Sequence, residues 1–466
     1  MSEAHPFHEV SPWFEAPEEA RPALEADVSA DVVIVGGGYT GLSAALSLRA
    51  AGIDVVVLEQ GVAGSGSSGR NAGHVTPTIG KDLPTLLKVF GEERAKALVR
   101  FADFATEYAE DVIARHEIEC DYHPSGNIIA GVHPKHEAKL ERAAETARGL
   151  GAAVRYLSPG AMRERGIPPA FVCGVLEERG GTLNPGKYVR GLREAALRAG
   201  VTLYENTTVT RVHDGKFVRV ETPGGSVRAH HAILATNAYT DSTGRRRRHV
   251  VPLRVSLFET EPIPEESRRE LGWAGREGIY TAHEALENFR LTAHGTLSGG
   301  SKVVRYRYGS QLGSGRDPGA FDAIEAAFRE RFPMLDDVRV AHFWGGWIGI
   351  TLDLLPQIGV EGAYQNVHYA IGFNGHGVPQ ATLCGAMLAD RILGKVHPQA
   401  AALDRRHWAW PVEPLRFAGA AMINGAMSIA DRRTDRQVRR LRESEAAPAS
   451  APALRPPKTS DVARRA

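Results

Sequence analysis

Three glycines and one glutamate form the stretch whose spacing most clearly indicates chemistry. Gly36, Gly38 and Gly41 follow the apolar run 32–35, and a second apolar run, 55–58, ends at Glu59. The first glycine allows a tight turn, the second lets the backbone approach a pyrophosphate at a helix N-terminus, and the third allows close helix–strand packing. A carboxylate at the end of the second strand can accept hydrogen bonds from both ribose hydroxyls. The spacing predicts a dinucleotide-binding βαβ unit, and the acid favours NAD or FAD over a 2′-phosphorylated dinucleotide.

A second candidate ligand segment is the glycine- and serine-rich stretch 64–74. It offers serine hydroxyls, free backbone amides and the guanidinium of Arg70, groups that suit phosphates and the polar edge of a ring. Such a long loop beside a βαβ unit is either disordered or wrapped around a ligand.

A third segment has the same predicted arrangement as the first: a strand, a glycine-rich turn and a helix. Residues 372–377, Gly-Phe-Asn-Gly-His-Gly, follow a predicted strand at 367–371 and open a predicted helix at 378–393. Free amides and the positive end of the helix dipole favour negative charge there. A flavin needs such a group at its pyrimidine edge, where reduction leaves negative charge. His376 could shuttle a proton or could be a structural group that lines the pocket.

The elements that position these motifs alternate between two patterns. Residues 180–239 predict strand, helix and strands that end at Ala-Thr-Asn, which extends a doubly wound sheet. Residues 83–116 predict one long amphipathic helix. Residues 250–335 alternate as antiparallel strands followed by a helix at 320–332, which we interpret as a substrate domain.

Composition excludes several classes of protein. At 466 residues two domains are expected. Lysine plus arginine number 56 against 55 acids, so nothing indicates nucleic-acid binding. The three cysteines lie far apart and predict neither a disulfide framework nor a zinc site. The sequence lacks a secretory signal and a run of eighteen apolar residues, and we therefore expect a cytoplasmic protein without a spanning helix.

The C-terminal region carries a separate prediction. Residues 417–430 are rich in alanine, methionine and glycine, and arginines follow. The pattern predicts a helix that packs on the body or on a second subunit, with an interfacial membrane helix as the alternative. Residues 443–466 contain few large apolar groups and are expected to be disordered.

Taken together, the segments 33–59, 64–73, 235–239, 344–359 and 372–377 resemble the D-amino-acid-oxidase-like superfamily of FAD-dependent amine oxidoreductases. Within it, the chain is most similar to enzymes of the γ-glutamylputrescine oxidoreductase type. The resemblance implies an α/β fold in which a Rossmann-like FAD-binding domain is interleaved with an antiparallel-sheet α+β substrate domain. The expected boundaries are 30–80, 155–245 and 336–405 for the FAD-binding domain, 81–154 and 246–335 for the substrate domain, and 406–442 for a C-terminal helical segment.

The resemblance also implies how the cofactor is held. Sarcosine oxidases attach FAD through a cysteine where this chain has Gly346, and dimethylglycine dehydrogenases through a histidine where it has Asn71. Non-covalent FAD is therefore expected, with attachment at His74 as the alternative. The implied FAD contacts are Gly36, Gly38, Tyr39, Thr40, Gly41, Glu59, Gln60, Ser67, Ser68, Arg70, Asn71, Ala72, Gly73, His74, Val209, Thr236, Asn237, Gly375, His376 and Gly377.

For catalysis, the resemblance places Lys302 where similar sarcosine oxidases have the lysine that activates oxygen near the flavin; the alternative is a solvated strand lysine. His376 is the second catalytic candidate. The candidate substrate-binding residues are Arg290, Arg305, Tyr306 and Trp347. An arginine there would suit a substrate carboxylate or phosphonate.

The implied reaction is oxidation of the C–N bond of an amine or amino acid. A hydride passes to flavin N5, water hydrolyses the imine, and O2 reoxidises the flavin with release of H2O2. Two alternatives remain: a dehydrogenase that passes electrons to a quinone or carrier protein, and a flavin-binding module without turnover. The expected partners are a small-molecule amine and O2, with an oligomer possible.

Overall fold

The computed structural model describes residues 5–446. The strands are β1 (Val28–Val35), β2 (Val55–Leu58), β3 (His74–Val75), β4 (Asn127–Gly131), β5 (Val154–Leu157), β6 (Cys173–Glu177), β7 (Gly181–Thr182), β8 (Thr202–Tyr204), β9 (Arg211–His213), β10 (Val218–Thr222), β11 (Gly225–Leu234), β12 (Val251–Thr260), β13 (Gly278–Thr281), β14 (Glu287–Leu291), β15 (Leu297–Ser301), β16 (Arg305–Tyr306), β17 (Val340–Ile350), β18 (Gln357–Glu361) and β19 (Val367–Ile371). The helices are α1 (Tyr39–Ala50), α2 (Leu83–Phe90), α3 (Glu92–Arg115), α4 (Glu137–Gly149), α5 (Pro159–Glu164), α6 (Pro185–Arg198), α7 (Glu265–Leu271), α8 (Pro318–Arg331), α9 (Gly377–Ile392), α10 (Ala400–Leu403) and α11 (Leu415–Ala446).

The first sheet has the strand order β18-β19-β11-β1-β2-β8, with the β9–β10 hairpin added to β11. From β19 to β8 the neighbours pair in parallel, and β18 runs antiparallel to β19. Its central strands are apolar on both faces because helices cover one face and the β9–β10 hairpin the other. The larger core of the molecule lies between this sheet and helices α1, α3, α6 and α9.

The second sheet has the order β16-β12-β15-β14-β13-β4-β6-β5, and β17 pairs with β12. Its pairs are antiparallel except β13 with β4. Helix α8 packs on it through Phe321 and Phe328, which belong to a core that also contains Phe258 and Phe289. The fold class is thus as expected: a Rossmann-type α/β sheet interleaved with a mainly antiparallel sheet.

The chain crosses between the sheets at other places than expected. Strand β6 pairs with β4, and β5 pairs with β6, so both belong to the second sheet, although the expected FAD-binding domain includes residues from 155 on. Strand β17 likewise pairs with β12, although its residues were assigned to the FAD-binding domain. Apolar strands of either sheet have similar composition, so sequence pattern alone does not allocate them.

Two helix predictions also need correction. The predicted helix 83–116 is two helices. Asp82 caps the N-terminus of α2, and Gly91, with a φ of +78°, ends α2 before α3 begins at Glu92. Helix α11 continues to Ala446, so residues 443–446 are helical and not part of a disordered tail. The rest of that predicted tail, 447–466, lies outside the described residues. Within 5–446, no helix combines the length and apolarity needed to cross a bilayer.

Candidate active site and cofactor cleft

A cavity of about 410 Å³ opens beside the carboxyl ends of β1, β2 and β11 and extends to the second sheet. Open α/β sheets bind their ligands at this edge. Every residue that the sequence assigned to FAD contact lines the cavity except Gly41. Local segments that are far apart in sequence are thus brought together around one cleft.

The β1–α1 turn requires its glycines for steric reasons. Gly36 has a φ of +110°, and a Cβ there would lie 2.7 Å from the carbonyl oxygen of Ala235. A Cβ on Gly38 would lie 2.7 Å from Ser68 Oγ, and one on Gly41 would lie 1.9 Å from the Gly36 carbonyl oxygen. Gly41 therefore serves helix–strand packing and does not line the cavity. Gly38 offers no side chain to cap α1, and the first amide of the helix, that of Tyr39, donates to Ser68 Oγ at 3.1 Å, so this turn offers an anion the positive end of the helix dipole.

Glu59 is fixed at the end of β2. Its two carboxylate oxygens accept hydrogen bonds from the backbone amides of Gly37 (2.8 Å) and Gly61 (3.0 Å). Burial raises the pKa of Glu59, and these amide donors oppose that rise. The carboxylate faces the cavity with lone pairs to spare, as an acceptor of ribose hydroxyls must.

The loop 64–74 is ordered by its own hydrogen bonds. Ser67 Oγ donates to the carbonyl of Trp347 in the second sheet at 2.6 Å. Asn71 Nδ2 donates to the Ser68 carbonyl at 2.7 Å, and Asn71 Oδ1 accepts from the Gly73 amide at 2.9 Å. The loop therefore joins the two sheets across the cleft.

Polar side chains of the second sheet and of β3 meet below this loop. His74 Nδ1 lies 2.9 Å from Asn127 Oδ1, while its Nε2 is buried without a hydrogen-bond partner. Burial lowers the pKa of His74 to about 4, so the ring is neutral. Tyr280, whose ring centroid lies 5.8 Å from that of His74, lines the cavity and donates its hydroxyl to Glu177. Burial raises the pKa of Glu177 to about 8.

The start of α9 forms the opposite wall. His376 precedes the helix without capping it, and its Nδ1 lies 3.1 Å from the Asn374 carbonyl. Burial lowers the pKa of His376. Asn237 Oδ1 accepts from the Gly372 amide at 2.9 Å, which joins the end of β11 to this turn. The positive end of the α9 dipole thus points to the cleft, and His376 lines it as a neutral group.

The remaining wall consists mainly of residues that the sequence analysis missed. They come from β12, β13, β14, β15, β17, the loop between β13 and β14, and α11, and are mostly apolar: Val255, Leu257, Tyr280, Glu284, Ala285, Leu286, Asn288, Ser301, Val304, Ile348 and Met427. Alternation in the strands marks which of them share a face, but no local signal brings Met427 to this site.

Of the four candidate substrate-binding residues, one lines the cavity and three do not. Trp347 lines the cavity, as expected. Arg290 does not: it is buried behind the loop, donates from Nε to the Ala72 carbonyl at 2.6 Å, and lies 4.6 Å over the ring of Trp13. Arg305 is half-exposed and pairs with Asp317 at 2.6 Å, and Tyr306 donates its hydroxyl to Glu413. None of these three lines the cavity, because their side chains bind Ala72, Asp317 and Glu413 instead.

Lys302, the catalytic candidate, does not line the cavity either. Ser301 and Lys302 both have left-handed backbones, with φ of +73° and +46°, which end β15 and turn the lysine away from the cavity. Its ammonium instead pairs with Glu287 and, at 3.2 Å, with Asp435. Lys302 is thus part of a largely buried ionic cluster, and its neighbours Ser301 and Val304, not Lys302, line the cavity.

Comparison with known proteins identifies the family. The model of the family "DAO: FAD dependent oxidoreductase" matches residues 31–391. The chain belongs to this family. It is 31% identical over 414 residues to γ-glutamylputrescine oxidoreductase of Escherichia coli (strain K12), covering 88% of this chain and 94% of that protein. It is 30% identical over 394 residues to the probable oxidoreductase OrdL of Rhizobium meliloti (strain 1021), covering 82% and 88%.

Solved structures agree in fold. Glycine oxidase from Geobacillus kaustophilus superposes with a TM-score of 0.69 at 21% identity, covering 82% of this chain and 100% of that one. L-Proline dehydrogenase from P. horikoshii gives 0.68 at 20% identity, covering 80% and 96%. The chain is an FAD-dependent oxidoreductase of the amine and amino-acid oxidase type, and FAD is its cofactor. The glycine cradle, the positive ends of the α1 and α9 dipoles, and the fixed carboxylate of Glu59 fit that cofactor.

Proposed function

We propose that the protein oxidises the C–N bond of an aliphatic amine and that O2 reoxidises its flavin. The observation that supports an amine, as opposed to an α-amino acid, is the wall of the cavity on the side of the second sheet. Among the described residues, that wall has no lysine or arginine. Arg70 lines the cavity on the loop, but its Nε and Nη1 donate to the backbone carbonyls of Ser65, Glu9 and Gly345. A carboxylate next to the reacting bond would thus lack a dedicated cation on the substrate wall.

When bound, FAD supplies the acceptor for the hydride that leaves the carbon next to the amine nitrogen. The apolar side chains of Leu257, Val304 and Met427 exclude water from the substrate side. The free amides of α9 favour negative charge at the edge they face. The chain thus provides orientation, a dry cavity and a dipole of the required sign.

Amine oxidation also requires the loss of a proton from the bound ammonium. Tyr280 and Glu177 form a pair suited to this step, because Tyr280 lines the cavity and its hydroxyl donates to the Glu177 carboxyl. Above about pH 8, where Glu177 is ionised, Tyr280 Oη can accept the ammonium proton while its own proton passes to the Glu177 carboxylate. The Nε2 of His74, which has no partner, is a second acceptor at the same wall.

The relative from Escherichia coli suggests γ-glutamylputrescine as the first compound to test. Its amine stands at the end of an aliphatic chain, which suits an apolar wall. Glu284 at the exposed end of the wall can accept a hydrogen bond from a second, remote ammonium group.

The placement of Lys302 favours a second candidate for the electron acceptor. Since its ammonium is engaged by Glu287 and Asp435, the argument for oxygen activation by this lysine is lost. A dehydrogenase that passes electrons to a quinone or carrier is the alternative function.

Anaerobic bleaching of the flavin absorption tests both points. We expect γ-glutamylputrescine or a simple aliphatic amine to bleach the purified holoenzyme, and sarcosine, proline and D-amino acids to bleach it poorly. Fast recovery in air indicates an oxidase, and slow recovery indicates the dehydrogenase. Bleaching by α-amino acids alone, or by no amine, would overturn the proposed substrate class.

A further inference from the structure

Helix α11 contacts the body of the protein along one stripe. Asn424, Met427, Asp431, Asp435 and Val438 recur at spacings of three and four residues, which places them on one face of a helix. Asn424 donates to the Val304 carbonyl at 3.1 Å, Met427 lines the cavity, and Val438 lies in the core of the second sheet. The helix therefore packs directly against the substrate wall of the cavity.

Two carboxylates of this stripe hold the loop between β13 and β14. The two oxygens of Asp431 accept the backbone amides of Glu284 and Ala285, each at 2.9 Å. Asp435 accepts from His283 Nε2 at 3.2 Å and from Arg331 at 3.0 Å. The loop is thus anchored at consecutive residues by a helix more than 140 residues further along the chain.

The anchored loop is itself part of the cavity wall. Glu284, Ala285 and Leu286 line the cavity together with Met427. These loop residues are half-buried or exposed, so few packing contacts hold them in place. The hydrogen bonds that Asp431 accepts from Glu284 and Ala285 fix this loop in the wall, together with the bond that the Leu286 carbonyl accepts from the Lys302 amide at 2.9 Å.

We propose that α11 completes the substrate pocket: Met427 limits the length of the amine that fits, and Asp431 is a positioning residue that fixes the loop 284–286 in the wall. This inference rests on the proposed amine oxidation for its substrate, but not for its structural part. It assigns to the C-terminal segment a role in specificity.

The first experiment varies the methionine. In steady-state kinetics with a series of linear alkylamines, Met427→Phe should raise KM for the longer amines by about tenfold or more relative to KM for the shortest. Met427→Ala should move the preferred amine to a longer chain. Met422→Ala is the matched control, because Met422 is 73% exposed on the outer side of the same helix. If both Met427 variants keep the length preference of the Met422 control, the inference is wrong.

The second experiment needs no substrate. Hydrogen exchange of the holoenzyme should show the amides of Glu284 and Ala285 exchanging about tenfold faster in Asp431→Ala, because both lose their acceptor. Asp431→Asn keeps one acceptor oxygen and should restore part of the protection. Arg432→Ala, on the neighbouring residue, is the control and should leave exchange as in the wild type. Unchanged exchange in Asp431→Ala would overturn the positioning role.

The two experiments separate the two proposals. A wild-type flavin that no amine bleaches would refute amine oxidation and leave the exchange experiment to decide the role of Asp431. A wild type that is bleached, with Met427 and Asp431 variants that match their controls, would refute the role of α11 alone.

Discussion

Glu177→Gln provides a quantitative test of the polar wall of the cavity. Glu177 is 2% exposed, and its carboxyl accepts a hydrogen bond from Tyr280. Burial, with a smaller contribution from the like charge of Asp103, raises its pKa from 4.5 to about 8. Glutamine has the same shape and keeps an oxygen that accepts from Tyr280, but it cannot ionise.

The size of the effect follows from proton linkage. Between pH 4.5 and 8 the unfolded chain releases the proton of Glu177 while the folded protein retains it, so the free energy of unfolding falls as the pH rises. Each pH unit is worth about 1.4 kcal/mol, so the loss over this interval amounts to about 5 kcal/mol. Below pH 4.5 and above pH 8 this group adds no further pH dependence.

Thermal unfolding followed by circular dichroism between pH 5 and 9 measures this effect. The midpoint of Glu177→Gln should approach that of the wild type at pH 5 and exceed it increasingly up to pH 8. Glu178→Gln is the control, because its exposed carboxylate forms an ion pair with Arg155. A difference between Glu177→Gln and the wild type that is the same at pH 5 and pH 8.5 would refute the raised pKa.

Three further predictions concern other parts of the molecule. In a fluorescence titration of the apoprotein with FAD, Gly36→Ala should bind about tenfold more weakly or worse, because the new Cβ would collide with the Ala235 carbonyl. Gly52→Ala is the control and should bind FAD as the wild type does, because Gly52 also has a positive φ but its Cβ would have no atom within 4 Å. Arg331→Met should lower the free energy of unfolding by about 3–5 kcal/mol, because it leaves the buried Glu287 without its bidentate partner; an unchanged urea midpoint would contradict this. Burial raises the pKa of the three cysteines to about 12, so mass spectrometry should find alkylation by iodoacetamide at pH 8 only after denaturation.

The cofactor half of the site could be predicted because its residues lie in a few short segments. Gly36–Glu59, the loop 64–74 and the turn 372–377 each follow a strand, and parallel strands bring their carboxyl ends to one edge. The requirement for glycine is steric and local, so it is visible in the sequence. For this reason nearly all predicted FAD contacts line the cavity.

The substrate half could not be predicted in the same way. The direction of Lys302 depends on two left-handed residues at the end of β15, and its partners Glu287 and Asp435 come from the neighbouring strand β14 and from α11. Arg290 faces Trp13, a residue of the N-terminal lead-in. Residue type indicated charge at these positions, but long-range packing decided where the charge points.

The alternation of the chain between two sheets has a consequence for synthesis. Strand β1 pairs with β11 and β2, but the sheet is completed only by β19, which ends at Ile371, while the other sheet awaits β17, which ends at Ile350. A nascent chain therefore cannot fold one domain while the ribosome makes the next, as chains with consecutive domains do. Until most of the polypeptide has emerged, strand edges and apolar faces of both sheets remain uncovered. Because one cleft is built from two interleaved sheets, we expect the chain to depend on chaperones during translation.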